Sequence, residues 1–405
     1  MNSNKPLRIA LVAPLLSRSA TGLSSYVADL VPRLCDAGHH VTVLATDCGY
    51  RGAAIDEIVT LDPRVELVVF PVRGAFNRRL YRSPQLVRWL LRNVSRFDVV
   101  DIQGVWYLIA VDVARVCKAK RVPFIFTPHG MMTRWDWAKR PGFKRAFFGL
   151  MLREYWTSAA AVRYLSEGEF RNSMVGPSGP ALVIPNGVTT RTISEISGGA
   201  GIREELRIPQ DAPVVVFLGR VTEQKGVLEI VQAFDIASRE CPEAVLCIAG
   251  PMQSEYGDAV RNLAESVASK RQIRVLGPVF GSAKLELLKA ATVFVTLSRN
   301  EGMPIAALEA LSFSKPAILT VDSNIPEVEE FEAGVITKLD SAAAARALVN
   351  LLSNRERLAI MSSNALHLVD ERFSWKAVLP RLMNLYRTAA GRGVNGVATP
   401  ELQSR

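Results

Sequence analysis

Thr292-Val293-Phe294-Val295-Thr296-Leu297 runs directly into Ser298-Arg299-Asn300-Glu301-Gly302-Met303-Pro304 and on into Ile305-Ala306-Ala307-Leu308-Glu309-Ala310. The first six residues are apolar or β-branched and end at a polar turn, the pattern of a buried strand. Pro304 has a fixed φ that suits the first turn of a helix, and the residues after it are mostly strong helix formers. The stretch therefore predicts a strand, a loop carrying Glu301, and a helix opening around Pro304 with Glu309 about two turns away from Glu301. Repeated, such units force the strands to run parallel.

Working outward, the same alternation fills the chain. Val214–Leu218, Val245–Ala249, Ile273–Leu276 and Ala317–Val321 read as further strands of the second half. In the first half Leu7–Ala13, Val41–Thr46, Val65–Pro71, Asp98–Ile102 and Pro123–Thr127 do the same. Helical patterns lie near residues 23–37, 84–96, 106–120 and 142–157. Ala181–Pro185 leads into the turn signal Asn186-Gly187 and then a Ser/Gly-rich stretch from Ser194 to Gly201. The expected architecture is α/β, with two Rossmann-like doubly wound domains facing a cleft. They would span 1–188 and 189–373, with a helix over 374–390 returning to the first domain and a disordered tail over 391–405. Ligands of such sheets bind beyond the carboxyl ends of the strands.

Composition narrows the chemistry. Lys and Arg total 49 against 39 Asp and Glu, a net charge of +10, which favours anionic partners such as phosphates, nucleotides or lipid head groups. The five cysteines are scattered, and the four histidines pair with none of them at metal-ligand spacing. We therefore expect unpaired thiols in a reducing cytoplasm and no zinc site. The apolar run Ile9 to Leu16 is short, contains Pro14 and stops at Arg18 without a cleavage site, so it reads as a first strand and not a signal peptide. No stretch reaches the roughly 18 apolar residues that span a bilayer. The expectation is a cytoplasmic protein, resting at most on the inner face of the cell membrane.

Two loops carry the candidate chemistry. Glu301 and Glu309 flank the start of one helix, where the N–H groups of Gly302 and Met303 and the helix dipole favour negative charge. Carboxylates at this spacing suit a ligand with several hydroxyls, and they equally suit one acid serving the helix dipole beside one in solvent. Gly219-Arg220-Val221-Thr222-Glu223-Gln224-Lys225-Gly226 follows the strand Val214–Leu218. Arg220 and Lys225 on such a loop suit a diphosphate, with Arg as a fork and Lys as a point charge.

Together these residues resemble the retaining GT-B glycosyltransferases of family 4, over roughly residues 7–390. The family's signature is a pair of glutamates separated by seven residues, here Glu301 and Glu309, with an Arg-x4-Lys pair upstream, here Arg220 and Lys225. The resemblance implies that Arg220 and Lys225 hold the donor diphosphate, that Glu309 binds the ribose, and that Glu301 lies against the transferred sugar. Gly219, Gly302, Met303 and Pro304 would line the donor site. Thr21-Gly22-Leu23-Ser24-Ser25-Tyr26 resembles the family's Gly-Gly loop, with Thr21 in place of the first glycine and Gly22 as the second. His129-Gly130 resembles the active-site histidine that contacts the donor sugar. Pro185-Asn186-Gly187-Val188 resembles an interdomain Pro-Asn-Gly-Val-Asp with Thr189 in place of the aspartate, which reads as hinge architecture.

The implied reaction is metal-independent transfer from a UDP- or GDP-sugar, with no cofactor, onto a glycan or lipid-diphosphate-linked acceptor. His129-Gly130-Met131-Met132 and Phe373-Ser374-Trp375 look like family members working on exopolysaccharide, capsule or lipopolysaccharide. Arg73 to Arg96 holds seven arginines and no acid, and Arg134 to Trp156 is again basic and aromatic. These read either as solvated basic faces or as a surface for anionic lipid. One rival keeps the fold and changes the reaction, to a nucleotide-sugar epimerase or a sugar-phosphate-accepting synthase. A basic nucleic-acid-binding protein is a more distant rival, since no helix-turn-helix, RRM, KH or zinc-finger pattern is present; no nucleic-acid partner is expected.

Overall fold

The computed structural model describes residues 5–17, 22–49, 58–177, 179–190 and 201–391. Thr21, residues 194–200 of the Ser/Gly-rich stretch and the tail beyond Gly391 lie outside them. The chain forms two compact units, one containing the described residues up to Gly187 and those from Trp375 on, the other Val188–Ser374.

The first unit is built on β1 (Arg8–Val12), β2 (His40–Thr46), β3 (Glu66–Phe70), β4 (Val99–Gln103), β5 (Phe124–Thr127), β6 (Ala161–Tyr164) and β7 (Ala181–Val183), in the order β3-β2-β1-β4-β5-β6-β7. All neighbours pair in parallel. β4 is buried at every residue and β1 at all but its first. Helices cover both faces of a parallel sheet, so its central strands are mostly apolar instead of alternating, with Asp101 and Gln103 of β4 the buried polar exceptions in that strand. The strand order reverses between β1 and β4, which is where the loops beyond the carboxyl ends part to leave a crevice.

The helix Trp375–Ala389 belongs to this unit. The Trp375 indole N–H donates to Asp29 at 2.8 Å, and the Tyr386 hydroxyl donates to buried Asp101 at 2.7 Å. Gly187 faces the Trp375 ring, where a Cβ would lie 2.4 Å away, so no larger residue fits.

The second unit holds β8 (Val214–Leu218), β9 (Val245–Ala249), β10 (Ile273–Gly277), β11 (Val293–Thr296), β12 (Ala317–Thr320) and β13 (Gly334–Thr337), in the order β10-β9-β8-β11-β12-β13. This sheet is also parallel throughout, and its order reverses between β8 and β11. The Val188 N–H donates to the Phe373 carbonyl at 2.8 Å and joins the two ends of the unit.

Both sheets match the α/β, doubly wound expectation, and three details differ. β6 and β13 are additional strands. β6 is fully buried but carries Arg163, which breaks its apolar pattern, and β13 is a short edge strand beginning at Gly334. The helix expected over 142–157 is Pro141–Phe147, a π-helical turn Phe148–Leu152, and Arg153–Ser158. The wider turn lets Phe147, Leu152 and Trp156 all enter the core, and it leaves Leu150 86% exposed. The helix after β11 starts at Ile305, with Pro304 as its extended N-cap (φ −75°, ψ 106°), one residue later than the first-turn rule for proline suggests.

Candidate active site

The two loops singled out in the second unit follow β8 and β11, the neighbouring strands between which the order reverses. They are knitted together. The Arg299 N–H donates to the Gln224 carbonyl at 2.8 Å, and the Gln224 side chain donates to the Asn300 carbonyl at 2.6 Å. Gly226 sits where they touch. Its φ is 64°, and a Cβ there would lie 2.1 Å from the Leu297 carbonyl oxygen, so only glycine closes the turn. The Arg299 guanidinium donates to Glu229 at 2.6 Å and ties the second loop to the helix Val227–Ala237.

Lys225 and Glu301 meet. The ammonium lies 2.5 Å from Glu301 Oε1, with side-chain exposures of 17% and 10%. The Ser298 hydroxyl donates to the same oxygen at 3.0 Å. The Glu301 backbone is held as firmly, its N–H donating to Asp322 O at 3.0 Å and its carbonyl accepting from the Asn324 amide at 2.5 Å. The carboxylate is thus pre-positioned, and the ammonium, with three protons, can still reach a further anion while holding Glu301. Sequence reasoning assigned these two residues separate duties; the structure makes them one unit.

Arg220 and Gly219 occupy the same loop as Lys225, both half-buried. Gly302, Met303 and Pro304 follow Glu301, all buried, leading into the helix Ile305–Ser312. Glu309 lies on that helix, where it accepts from Lys284 at 2.6 Å. Lys284 escaped sequence reasoning because nothing in its own helix, Gly281–Ala290, marks it out.

His129 belongs to the first unit, just past β5. Its φ is 55° and that of Gly130 is 79°, two successive left-handed residues. The ring Nε2 lies 2.6 Å from Gln103 Oε1, and the Tyr26 ring stands edge-on at 5.9 Å. Burial, and then the charge of Arg163, push the imidazole pKa down to about 3, so the ring is neutral. With the amide oxygen facing it, Nε2 carries the proton and Nδ1 remains an acceptor. The Gln103 amide nitrogen turns toward Asp101 without closing a hydrogen bond, which favours this orientation of the amide.

Behind the histidine lies a buried polar cluster. Arg163 donates to Ile184 O at 3.0 Å, to Pro185 O at 2.7 Å and to the Tyr26 hydroxyl. Asp101 accepts from Thr127 at 2.9 Å and from Tyr386. Pro185 and Asn186 therefore serve as partners of a buried guanidinium. Gln103 was legible only as a polar residue closing an apolar strand. Glu169, which accepts from the Gly130 N–H, was legible only as the last member of the capping pattern Ser166-x-x-Glu169. Gly22 is the exposed first residue of the helix Gly22–Asp36, and a Cβ there would meet nothing within 4 Å, so packing does not require glycine.

The basic stretches are less free than their composition suggests. Arg73, Arg82 and Arg96 pair with Asp47, Asp112 and Glu66, and Arg96 stacks on Trp89 and Phe97. Trp137, Phe147 and Trp156 are core residues, and Lys144 is buried against Asp136. Phe76, Leu91, Phe143, Leu150 and Met151 do remain exposed.

Residues 21–187 match the family model of a glycosyl transferase 4-like domain, and residues 200–367 that of glycosyl transferases group 1. The chain is similar to the phosphatidyl-myo-inositol mannosyltransferase of Mycolicibacterium smegmatis, 24% identical over 96% of this chain and 95% of that protein. It is also similar to the alpha-maltose-1-phosphate synthase of that species, 28% identical over 66% of this chain and 73% of the relative. Among solved structures, sucrose-phosphate synthase from Thermosynechococcus elongatus matches with a TM-score of 0.73 at 20% identity, covering 94% of this chain and 98% of that one. Anabaena HepE in complex with UDP-glucose gives 0.73 at 16% identity, over 95% and 100%. The parallel sheets, the paired loops between β8 and β11 and these likenesses lead to one conclusion: the chain belongs to the GT-B glycosyltransferases of the family 4 type.

Proposed function

We propose that the protein transfers a sugar, with retention of anomeric configuration and without a metal ion, from a nucleotide diphosphate sugar to a glycan or lipid-linked acceptor in cell-surface polysaccharide biosynthesis. The observation that carries this reading is the Lys225–Glu301 pair between two welded loops at the point where the strand order reverses. In this reading Arg220 and Lys225 stabilise the leaving diphosphate and Glu301 meets the sugar. Glu309 takes the ribose once Lys284 yields it, and the N–H groups of Gly302 and Met303 face negative charge. His129 contacts the donor sugar. The acceptor oxygen bonds to the anomeric carbon on the face from which the phosphate oxygen departs, and its proton passes to that phosphate oxygen. Well-placed donors of this kind contribute on the order of 3–4 kcal/mol each to the transition state.

Transfer from a panel of UDP- and GDP-sugars, with product anomers read by NMR, tests the reading. Turnover abolished by EDTA and restored by Mg²⁺, or wild-type rates in Arg220→Ala, would overturn it. The likeness to two sugar-phosphate synthases supports a second acceptor class, a free sugar phosphate, which the same assay distinguishes.

Among the described residues no helix is long and apolar enough to cross a membrane. Exposed Phe143, Leu150 and Met151 beside Arg145 and Arg153, with no acid from Trp137 to Arg153, support contact with an anionic bilayer. Sedimentation with anionic vesicles at low salt, lost for Leu150→Glu, is the expected outcome; equal recovery with neutral vesicles would sink it.

A further inference from the structure

His129 and Gly130 both adopt left-handed backbone. Glycine does so freely and histidine at a cost, so the arrangement persists only where its surroundings over-determine it. Glu169 is fully buried and spans two backbone N–H groups, accepting from Leu165 at 2.7 Å and from Gly130 with its other oxygen. Ser166 Oγ accepting from the Glu169 N–H at 3.0 Å is ordinary helix capping, and the Leu165 N–H lies one residue before that N-cap. The Gly130 bond is not needed by the cap. It reaches across to the residue beside His129, while Gln103 at the end of β4 engages the ring. Thr133 completes the turn by donating to Gly130 O at 2.8 Å.

We propose that Glu169 and Gln103 are positioning residues for His129, the carboxylate clamping the left-handed turn and the amide choosing which ring nitrogen bears the proton. The inference rests on the reading that His129 contacts the donor sugar. A carboxylate can accept two N–H bonds at once, whereas a glutamine in its place must turn an NH₂ toward one of them. Glu169→Gln therefore keeps the volume and releases one side of the clamp. Gln103→Met keeps length and removes the acceptor.

The chain has four histidines, so ¹⁵N-histidine NMR of the full-length protein resolves them, and His129→Asn assigns the missing set. Above pH 7, where Glu169 is ionised, the wild type is expected to show a single Nε2-protonated tautomer. Glu169→Gln and Gln103→Met should shift the His129 nitrogens toward tautomer averaging and lower kcat on the order of tenfold to a hundredfold, with donor KM changed less than twofold. Ser166→Ala, which removes the cap hydroxyl and keeps both Glu169 and Gln103, should leave the His129 signals in place. Unmoved signals in both Glu169→Gln and Gln103→Met, or equal movement in Ser166→Ala, would overturn the proposal; if Glu169→Gln does not fold, Gln103→Met against Ser166→Ala decides. Shifted signals together with full activity in His129→Asn would leave the clamp standing and remove the role of His129 beneath it.

Discussion

Replacing Lys225 by methionine keeps most of the side chain's length and deletes its charge, which leaves Glu301 a mostly buried carboxylate supported by Ser298 alone among its described side-chain partners. Exposed ion pairs are worth about 0.2–1 kcal/mol, and breaking a fully buried one costs about 3–5 kcal/mol. With 17% and 10% side-chain exposure the pair sits nearer the second case, and the remaining hydroxyl softens the loss, so we expect about 2–3 kcal/mol. At about 2–4 °C per kcal/mol for a unit of this size, Tm falls by about 4–12 °C. Glu301→Gln should cost less, because the lysine stem lets its ammonium turn toward water. The double variant should recover about 1–2 kcal/mol relative to the sum, since neither charge is then stranded. Catalysis should not follow: Lys225→Met loses about 10²–10³ in kcat, and adding Glu301→Gln restores none of it. Denaturant unfolding of the four proteins, with sugar transfer on the same samples, measures both. Additivity of the single changes within about 0.5 kcal/mol, or recovery of activity in the double variant, would refute the reasoning.

Gly226→Ala places a Cβ 2.1 Å from Leu297 O at a φ of 64°, and it should destabilise by about 2–4 kcal/mol while raising donor KM, because the loops can no longer close on one another. Tyr386→Phe removes one of the two described hydroxyls bonded to buried Asp101 and should lower stability by about 1–3 kcal/mol in chemical denaturation without altering KM. Two titrations in the first unit oppose each other. Burial lowers His129 from 6.5 to about 3, so the unfolded chain binds more protons in that window and stability rises with pH. Burial raises Glu169 from 4.5 to about 7, so there the native state binds more and stability falls as pH rises. Between pH 4.5 and 6.5 Tm should climb more steeply in Glu169→Gln than in wild type and fall in His129→Asn; identical slopes in all three would contradict both assignments.

How much of this was readable beforehand depends on the range of the interactions. The central strands were legible because a strand buried on both faces is mostly apolar whatever its neighbours are, and the two site loops were legible as turns at the ends of such runs. Arg163 hid β6, since a lone cation in a buried strand makes sense only when Tyr26 and the carbonyls of Ile184 and Pro185 are seen around it. The meeting of Lys225 with Glu301, Lys284 with Glu309, and Glu169 with Gly130 joins residues far apart in the chain. Local spacing carries no record of such contacts, because they arise only when the fold brings separate loops and helices together. The basic stretches show the same limit from the other side: arginine content is visible in one dimension, and whether an acid or a ring has already claimed each guanidinium is settled only by packing.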